Sequence, residues 1–384
     1  MKKKLLAGLL ALGMVASLAA CSNTETTTST NPSTAPSTES TAPSTGADMS
    51  SLDVGVFYYQ YSDVYITSVR NQMDAKLDEL GVKYTDYDGQ NTQPTQLDQI
   101  NTAITNGCNL LIVNIVETSS PDAAQQAADA AKNAGIPIIF FNREVSDDVV
   151  NSYENCAFVG TDAAEAGHMQ GEMIADYLIE NYDAVDLNGD GKISYVLFKG
   201  QEGNAEAEYR TQYSVEDANK ILAENGHGTA EDPALTFYAP DNTSGYLVDT
   251  TGAWSAQAAT DYMNTILAEY TEANGNMVEM VIANNDGMAE GAISALQGAG
   301  YNQEGGDKII PVFGVDAIDS AKEKIDKGIM TGTVMQDAEG MADTLIALLT
   351  NVGNGEELMA NTDSFNVDDS VAKIRVPYGL YQGK

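Results

Sequence analysis

Basic, histidine and cysteine residues are scarce in this chain of 384 residues. It has two histidines, three cysteines and one tryptophan, and 56 Asp and Glu residues outnumber 19 Lys and Arg residues, for a formal net charge of −37. The shortage of histidine and cysteine disfavours zinc sites and acid–base catalysis by histidine. The negative charge repels phosphate backbones and anionic lipid headgroups, which argues against nucleic-acid binding and favours a neutral or cationic soluble partner.

The first 20 residues predict a secretion signal. Lysines at positions 2–4 precede an apolar run over residues 5–18, which is too short for a finished transmembrane helix. The run closes with Leu18-Ala-Ala-Cys21, which resembles the lipobox of bacterial lipoproteins. We therefore expect removal of residues 1–20 and lipidation of Cys21; an ordinary signal peptide with an incidental cysteine is the alternative.

Residues 21–50 are predicted to form a lipid anchor and a linker, because Ser, Thr and Pro dominate and apolar residues are few. The expected location is the extracellular face of the cell membrane, or its periplasmic side in cells with two membranes, with the lipid as the only membrane contact. Cys108 and Cys156 precede different strand candidates, so we expect them to be unpaired packing residues; a disulfide between them is the alternative.

Short β-branched and aromatic runs alternate with longer helical patterns from residue 52 onward. The strand candidates are residues 53–59, 82–87, 109–116, 136–142, 157–160, 193–199, 235–239, 278–284, 309–315 and 332–335. Strict alternation with continuously apolar strands is typical of parallel sheets that are covered on both faces. The predicted fold class is α/β, with two doubly wound parallel-sheet lobes.

Polar and aromatic residues follow many of these strands, where ligands of open α/β sheets bind. The candidates are Asp63, Tyr65, Asn142, Asn204, Glu206, Arg210, Trp254, Asn285, Asp316 and Gln336, with Asp286 beside Asn285. Carboxylates and amides suit sugar hydroxyls, which both donate and accept, and aromatic faces cover sugar rings. The alternatives are core packing for the two aromatic residues and a surface i,i+4 ion pair for Arg210 with Glu206.

A glycine-rich acidic segment resembles the first nine positions of an EF-hand calcium loop. Its oxygen ligands would come from Asp186, Asn188, Asp190, the Lys192 carbonyl and Ser194. Position 12 is Leu197 instead of glutamate, and the segment leads into a strand candidate, so this is no helix–loop–helix. The loop therefore needs a carboxylate from elsewhere in the chain to bind calcium well; an Asx-rich turn is the alternative.

Taken together, motifs from residue 54 to residue 379 resemble the galactose- and glucose-binding receptors of bacterial sugar ABC importers, within the type I periplasmic binding proteins. The matching motifs are Tyr59-Gln-Tyr-Ser-Asp63-Val-Tyr65, Phe140-Phe-Asn-Arg-Glu144, Asp186-Leu-Asn-Gly-Asp-Gly191, Val281-Ile-Ala-Asn-Asn-Asp286, Val312-Phe-Gly-Val-Asp-Ala317 and Arg375-Val-Pro-Tyr378. The resemblance implies that the ten candidates bind a monosaccharide and that Glu279 completes a structural calcium site.

Four positions depart from this family's pattern. Asn204, Glu206 and Gln336 stand where the family has His, Asp and Asn, and Ser194 replaces a Gln in the calcium loop. One methylene in a binding pocket changes selectivity by about 1–3 kcal/mol. The resemblance favours glucose or galactose as the ligand, and the four departures leave the identity of the sugar open.

The resemblance also implies how the chain is divided and what it does. A first lobe of residues 51–160 and 338–371 and a second of 161–337 and 372–384 would join through three hinge segments, near Gly160, Asp337 and Ala372. Hinge closure on the sugar would present a monomeric receptor to an ABC permease. A chemoreceptor or sensor-kinase ectodomain is the alternative partner. A glycoside hydrolase that pairs Asp63 with Asp316 or Glu206 is the alternative activity, and we expect no enzyme.

Overall fold

The computed structural model describes residues 49–383 of the chain. The predicted signal peptide, the predicted lipidation site Cys21 and nearly all of the predicted linker lie outside these residues. Within the described part, no helix combines the length and the apolar character that crossing a bilayer requires.

The strands, in chain order, are β1 (Asp53–Tyr58), β2 (Lys83–Asp88), β3 (Leu110–Val113), β4 (Ile138–Phe141), β5 (Cys156–Gly160), β6 (Ile193–Lys199), β7 (Leu235–Phe237), β8 (Leu247–Val248), β9 (Met280–Ala283), β10 (Val312–Asp316), β11 (Gly332–Gln336), β12 (Lys373–Arg375) and β13 (Tyr378–Tyr381). The α-helices are α1 (Val64–Leu80), α2 (Gln93–Thr105), α3 (Asp122–Ala134), α4 (Asp147–Asn151), α5 (Ala163–Val185), α6 (Ala205–Glu224), α7 (Ala256–Glu269), α8 (Asp286–Gly298), α9 (Asp319–Asp326) and α10 (Ala338–Gly353). Short 3₁₀ turns occupy Met49–Ser51 and Glu272–Asn274.

Two sheets organise the described residues. The first has the order β12-β5-β4-β3-β1-β2 and is parallel throughout. The second has the order β13-β11-β10-β9-β6-β7, with β8 also pairing with β6, and β13 is its antiparallel edge strand. The predicted α/β class with two doubly wound sheets is confirmed, and the antiparallel edge is an addition to it.

Both sheets are covered on each face by helices, because alternate strand residues point to opposite sides. Val56 packs under α1 and α10, whereas its neighbour Phe57 packs under α2 and α3. In the second sheet, Phe198 faces α7, α8 and α9, and Leu197 faces α5 and α6. Burial on both faces explains why these strands read as continuous apolar runs.

The chain passes between the sheets three times, after β5, after β11 and between β12 and β13. The third crossing lies after Arg375, whereas the sequence placed it near Ala372. Residues 373–375 pair with Phe158, Val159 and Gly160 of β5, so they belong to the first sheet and not to the second lobe. Division into lobes that move as units remains a prediction.

Cys108 and Cys156 are buried and unpaired, as expected. Both pack in the apolar layer between the first sheet and α2 and α3. The Cys108 thiol donates to the carbonyl of Leu110 at 3.2 Å. Burial raises the pKa of Cys156 to about 12, so this thiol stays protonated and unreactive near neutral pH.

Candidate functional site

All ten predicted ligand residues line one cavity at the carboxyl ends of the strands. About 360 Å³ of empty space, part of it open to solvent, lies between its walls. The first sheet and α1 supply Asp63, Tyr65 and Asn142. The second sheet, with its helices and loops, supplies the remaining seven. Three further residues line the cavity: Tyr59, Ile66 and Arg143.

Helix capping places three of these side chains. Asp63, Asn204 and Asn285 are the N-caps of α1, α6 and α8, and their side-chain oxygens accept backbone N–H groups at 2.8, 3.2 and 2.9 Å. A parallel strand followed directly by a helix needs such a cap, because the first turn of a helix leaves its N–H groups unpaired. The second polar atom of each side chain has a partner beside the cavity: Asp63 accepts from the Tyr59 hydroxyl at 2.6 Å, Asn204 donates to the Thr118 hydroxyl at 3.4 Å, and Asn285 donates to the Trp254 carbonyl at 3.3 Å.

Three site residues have left-handed backbone conformations that non-glycine residues rarely adopt. The φ angles are 61° at Asn142, 56° at Trp254 and 121° at Asp316. Such conformations cost about 1–3 kcal/mol each and persist where the surrounding structure enforces them. Asn142 directly follows β4, Asp316 ends β10, and Trp254 lies two residues before α7; all three line the cavity.

Arg210 is the central cation of the cavity and is only 3% exposed. It pairs with Glu206 at 3.2 Å, lies 4.0 Å from Asp316, and donates to the carbonyl of Asn284 at 2.9 Å. Burial raises the pKa of both Glu206 and Asp316, and the Arg210 charge opposes that shift. The alternative of a surface i,i+4 ion pair is therefore wrong, because the pair lies inside the protein.

Several buried polar atoms at the cavity have no hydrogen-bond partner among the described residues. They are Tyr65 Oη, Arg143 Nε, Arg210 Nε, Trp254 Nε1 and Gln336 Nε2. Buried polar groups in proteins are nearly always paired, since an unpaired one costs about 1–3 kcal/mol. All five can donate a hydrogen bond, so the cavity is suited to a ligand with several acceptor oxygens.

Direct contacts between the two sides hold the cavity closed. Gln60 Nε2 donates to the carbonyl of Ala253 at 2.9 Å, and Asn91 Nδ2 donates to the carbonyl of Thr251 at 2.8 Å. Arg143 donates to the side-chain oxygen of Gln201. Each bond joins a residue after a strand of the first sheet to a loop that follows β6 or β8.

The predicted calcium loop, residues 186–194, also has an ordered arrangement. The Asp186 carboxylate accepts the N–H groups of Gly189 and Gly191 at 2.7 and 2.9 Å, which is the hydrogen bonding of an Asx-rich turn. Glu279 lies beside β6 and directs both carboxylate oxygens into the loop, where they accept from the N–H groups of Leu187 and Ser194, each at 2.8 Å. The structure thus brings the predicted sixth residue to the other five.

The donor set of this loop fits a hard cation. Three carboxylates, one amide, one hydroxyl and one carbonyl oxygen are the ligand types that calcium takes. Within residues 49–383, no three acidic, histidine or cysteine side chains form a compact metal cluster by themselves. A cation here would therefore depend on the amide, hydroxyl and carbonyl oxygens of Asn188, Ser194 and Lys192 as well.

Residues 54–357 match the protein family described as "Periplasmic binding protein domain". The chain belongs to this family. It is a family of solute-binding proteins and not of enzymes, which confirms the expectation of a binding protein and disfavours the glycoside hydrolase.

Two comparisons illustrate the likeness. This binding protein is 34% identical over 326 residues to the D-galactose/methyl-galactoside binding periplasmic protein of Haemophilus influenzae, covering 85% of this chain and 88% of the relative. It also resembles a solved structure of an ABC transporter solute binding protein from Bacillus halodurans with bound myo-inositol. That match has a TM-score of 0.64 and 25% identity, and covers 87% of this chain and 96% of the other.

Sequence reasoning missed two polar residues of the binding protein's cavity. The Arg143 guanidinium lies 4.1 Å from the ring centroid of Tyr59, whose hydroxyl donates to Asp63 at 2.6 Å. Arg143 also donates to the carbonyl of Val116 at 3.0 Å. Their signal was position, since Tyr59 and Arg143 follow the ends of β1 and β4 by one and two residues.

Proposed function

We propose that this protein is an extracytoplasmic receptor that captures a monosaccharide, of the glucose or galactose type, by closing two lobes around it. The observation that carries the proposal is the convergence of ten predicted polar and aromatic side chains on one cavity. Those residues lie up to 273 positions apart in the chain, so the parallel topology alone brings them together.

The chemistry of the cavity supports a neutral polyhydroxyl ligand. The unpartnered donors Tyr65, Trp254, Arg210 and Gln336 match ring and hydroxyl oxygens, and Asp316 offers acceptor oxygens for hydroxyl protons. The Trp254 and Tyr65 rings provide faces for the C–H side of a sugar ring. The galactoside-binding relative supports the choice of hexose.

Delivery to an ABC importer is the second part of the proposal. The solved structure from Bacillus halodurans is described as an ABC transporter solute binding protein. A receptor of this kind works outside the cytoplasmic membrane, and lipidation at Cys21 would hold it at the membrane surface. Ligand that contacts both sides of the cavity favours the closed state by its differential affinity, and the permease would recognise that state.

A panel of monosaccharides in a thermal-shift assay, followed by calorimetry, tests the ligand. D-glucose, D-galactose, D-xylose and myo-inositol should be compared on the chain without residues 1–20. We expect one of the two hexoses to raise the Tm by several degrees at a concentration of 100 times its Kd, because it binds only the native state. A shift with myo-inositol or the pentose alone would overturn the hexose assignment. No shift with any of them would overturn the sugar receptor.

We further propose that the loop of residues 186–194 and Glu279 bind calcium as a structural ion. Both Glu279 oxygens face the loop, and the Lys192 amine turns away to pair with Asp232. The acidic oxygens therefore lack a cationic side chain from within the loop. A bound calcium ion would supply that charge and hold the loop against β6.

Chelation separates calcium binding from an Asx-rich turn. We expect EGTA to lower the Tm of the wild type and added calcium to restore it, since the ion binds only the folded loop. Glu279→Gln should remove most of this response. Glu272→Gln is the matched control and should keep it, because this exposed carboxylate binds Lys308 and Tyr301 and no residue of the loop. Identical melting of the wild type with and without EGTA would overturn the calcium site and leave the sugar proposal untouched.

A further inference from the structure

The three segments that join the two sheets meet at one ion pair of the cavity. Thr161 directly follows β5, Gln336 ends β11, and Tyr378 begins β13. Each of these residues is buried, and each contacts Arg210 or Glu206 of α6. Segments that are far apart in the chain thus share one polar cluster.

The contacts in this cluster share few protons, since Arg210 Nη2 has two hydrogens and three acceptors within 3.2 Å. Arg210 Nη2 donates to Tyr378 Oη at 2.8 Å and to Gln336 Oε1 at 3.2 Å. Tyr378 Oη donates to Glu206 Oε2 at 3.1 Å, and Thr161 Oγ1 donates to Glu206 Oε1 at 3.1 Å. Both oxygens of the Glu206 carboxylate are therefore bound by residues of the crossings, and one of them also pairs with Arg210.

The two hydroxyls and the Glu206 carboxylate make more contacts than the hydroxyls have protons. Thr161 Oγ1 and Tyr378 Oη also lie 2.9 Å from each other. Two hydroxyls carry two protons, so only two of the three contacts among Thr161, Tyr378 and Glu206 are hydrogen bonds at one time. When both protons point at Glu206, its charge is stabilised by two hydroxyls and by Arg210.

The first sheet holds the backbone of this cluster from its own side. Arg375 of β12 donates to the carbonyl of Thr161 at 2.8 Å and pairs with Glu144 at 2.7 Å and with Asp368 at 2.9 Å. The Thr161 backbone is thereby attached to the first sheet, while its side chain binds Glu206 on α6 of the second. A rotation of one sheet relative to the other would therefore change the distance from Thr161 to Arg375 or the distance from Thr161 to Glu206.

We propose that Tyr378 and Thr161 are positioning residues that couple the hinge angle to occupation of the cavity through the Glu206–Arg210 ion pair. The inference rests on the proposed sugar-binding function, because Glu206 and Arg210 are its predicted ligand contacts. Opening the hinge would strain or break bonds to a buried charge pair, and ligand bound to that pair would restore the closed arrangement. Hinge angle and ligand affinity are then linked thermodynamically.

The direct test is Tyr378→Phe, which removes one hydroxyl and keeps the ring. We expect the sugar Kd to rise about tenfold to a hundredfold, the range for losing hydrogen bonds to charged groups, with most of the change in the dissociation rate. The matched control is Tyr381→Phe on the same strand, whose hydroxyl donates to Asp326 at 2.9 Å away from the cavity. The control should bind sugar as the wild type does.

A second readout distinguishes coupling from a loss of stability. Small-angle X-ray scattering should show that saturating sugar compacts the wild type, whereas without sugar Tyr378→Phe is more open than the wild type. A lower Tm with unchanged Kd and unchanged scattering would assign Tyr378 a structural role and overturn the proposal.

Thr161→Val and the double variant complete the design. If both hydroxyls act through Glu206, the two losses in affinity are not additive, because each variant already frees the same carboxylate. If the two losses in binding free energy are strictly additive, the proposal that both hydroxyls act through Glu206 is overturned. If the wild type binds none of the sugars, the sugar-receptor proposal itself has failed, and this outcome is separate from a wild type that binds sugar and a Tyr378→Phe variant that binds it equally well.

Discussion

The cavity and the loop of residues 186–194 are both built from carboxylate and amide oxygens, yet they treat charge in opposite ways. In the cavity, Glu206 and Asp316 surround Arg210 inside the protein. In the loop, the Lys192 side chain pairs with Asp232, so it does not face the loop carboxylates. A site whose carboxylates face a buried cationic side chain suits a neutral polar ligand, and a site whose carboxylates face none suits a cation.

Replacing Arg210 in the cavity should have the largest effect of the changes considered, and it should be on stability. Arg210→Met leaves two buried carboxylates unpaired, and we expect the free energy of unfolding to fall by about 3–5 kcal/mol at pH 7. Denaturant titration measures it. The same change at the exposed Lys308 is the control and should alter stability little.

The loss in Arg210→Met should depend on pH. Burial raises the folded-state pKa of Glu206 and Asp316 above the unfolded values, and loss of Arg210 raises it further. The charged forms therefore destabilise the variant as pH rises above the unfolded pKa values, and protonation relieves this as pH falls. The deficit should shrink from pH 7 towards pH 5. A constant deficit over that range would mean that packing, not charge, explains the loss.

Next in size is the loss of the indole in the cavity. Trp254→Ala should abolish sugar binding detectable by calorimetry and leave the fold intact, since the indole lines the cavity and offers an apolar face to a sugar ring. Trp254→Phe keeps a smaller face and should bind with intermediate affinity. Retained micromolar binding by the alanine variant would remove Trp254 from the site.

A smaller effect should come from a residue that offers no side chain at all. A Cβ added to Gly200 would lie 2.1 Å from Trp254 Cδ2, so Gly200→Ala must displace the indole. We expect the sugar Kd to rise about tenfold or more, measured by calorimetry. Gly298→Ala is the matched control, because a Cβ there meets no atom within 4 Å. Equal affinity of both variants would show that the indole position is not critical.

The smallest effect concerns the loop and should change sign with the medium. With EGTA present, Asp190→Asn removes one of several clustered negative charges and should raise the Tm slightly. With calcium present, it removes a ligand and should lower the Tm. Thermal shifts in the two media check this. A change of the same sign in both would break the contrast drawn between loop and cavity.

The site was predictable because it depends on a rule of topology. Carboxyl ends of parallel strands share one edge, so residues such as Asp63 and Asp316 could be grouped without knowing any distance. The burial of Arg210 was not predictable in this way. Its i,i+4 spacing from Glu206 is the same on a surface helix and in a cavity, and only packing against Asn284 and Tyr378 distinguishes the two.

The elements that the sequence did not predict are stabilised by residues far away in the chain. The three-residue strand β12 is too short to give a period, and it exists because β5 offers it an edge. Helix α2 begins with Gln and Pro and contains three Thr residues, so the helical period of its apolar residues is weak in the sequence. Ile100 and Ala103 nevertheless pack against the sheet. The meeting of Thr161 and Tyr378, 217 positions apart, depends on the same long-range pairing.

The burial of Cys108 and Cys156 has a practical consequence for optical measurement. Because both thiols of the described residues are buried and burial raises their pKa values, a cysteine introduced at Asn91, a half-buried residue at the cavity rim, would react selectively with a maleimide dye in a chain that lacks residues 1–21. An environment-sensitive dye at that rim would change its emission as the two sides close. The protein is thus suited to serve as a reagentless fluorescent sensor for whichever solute it captures.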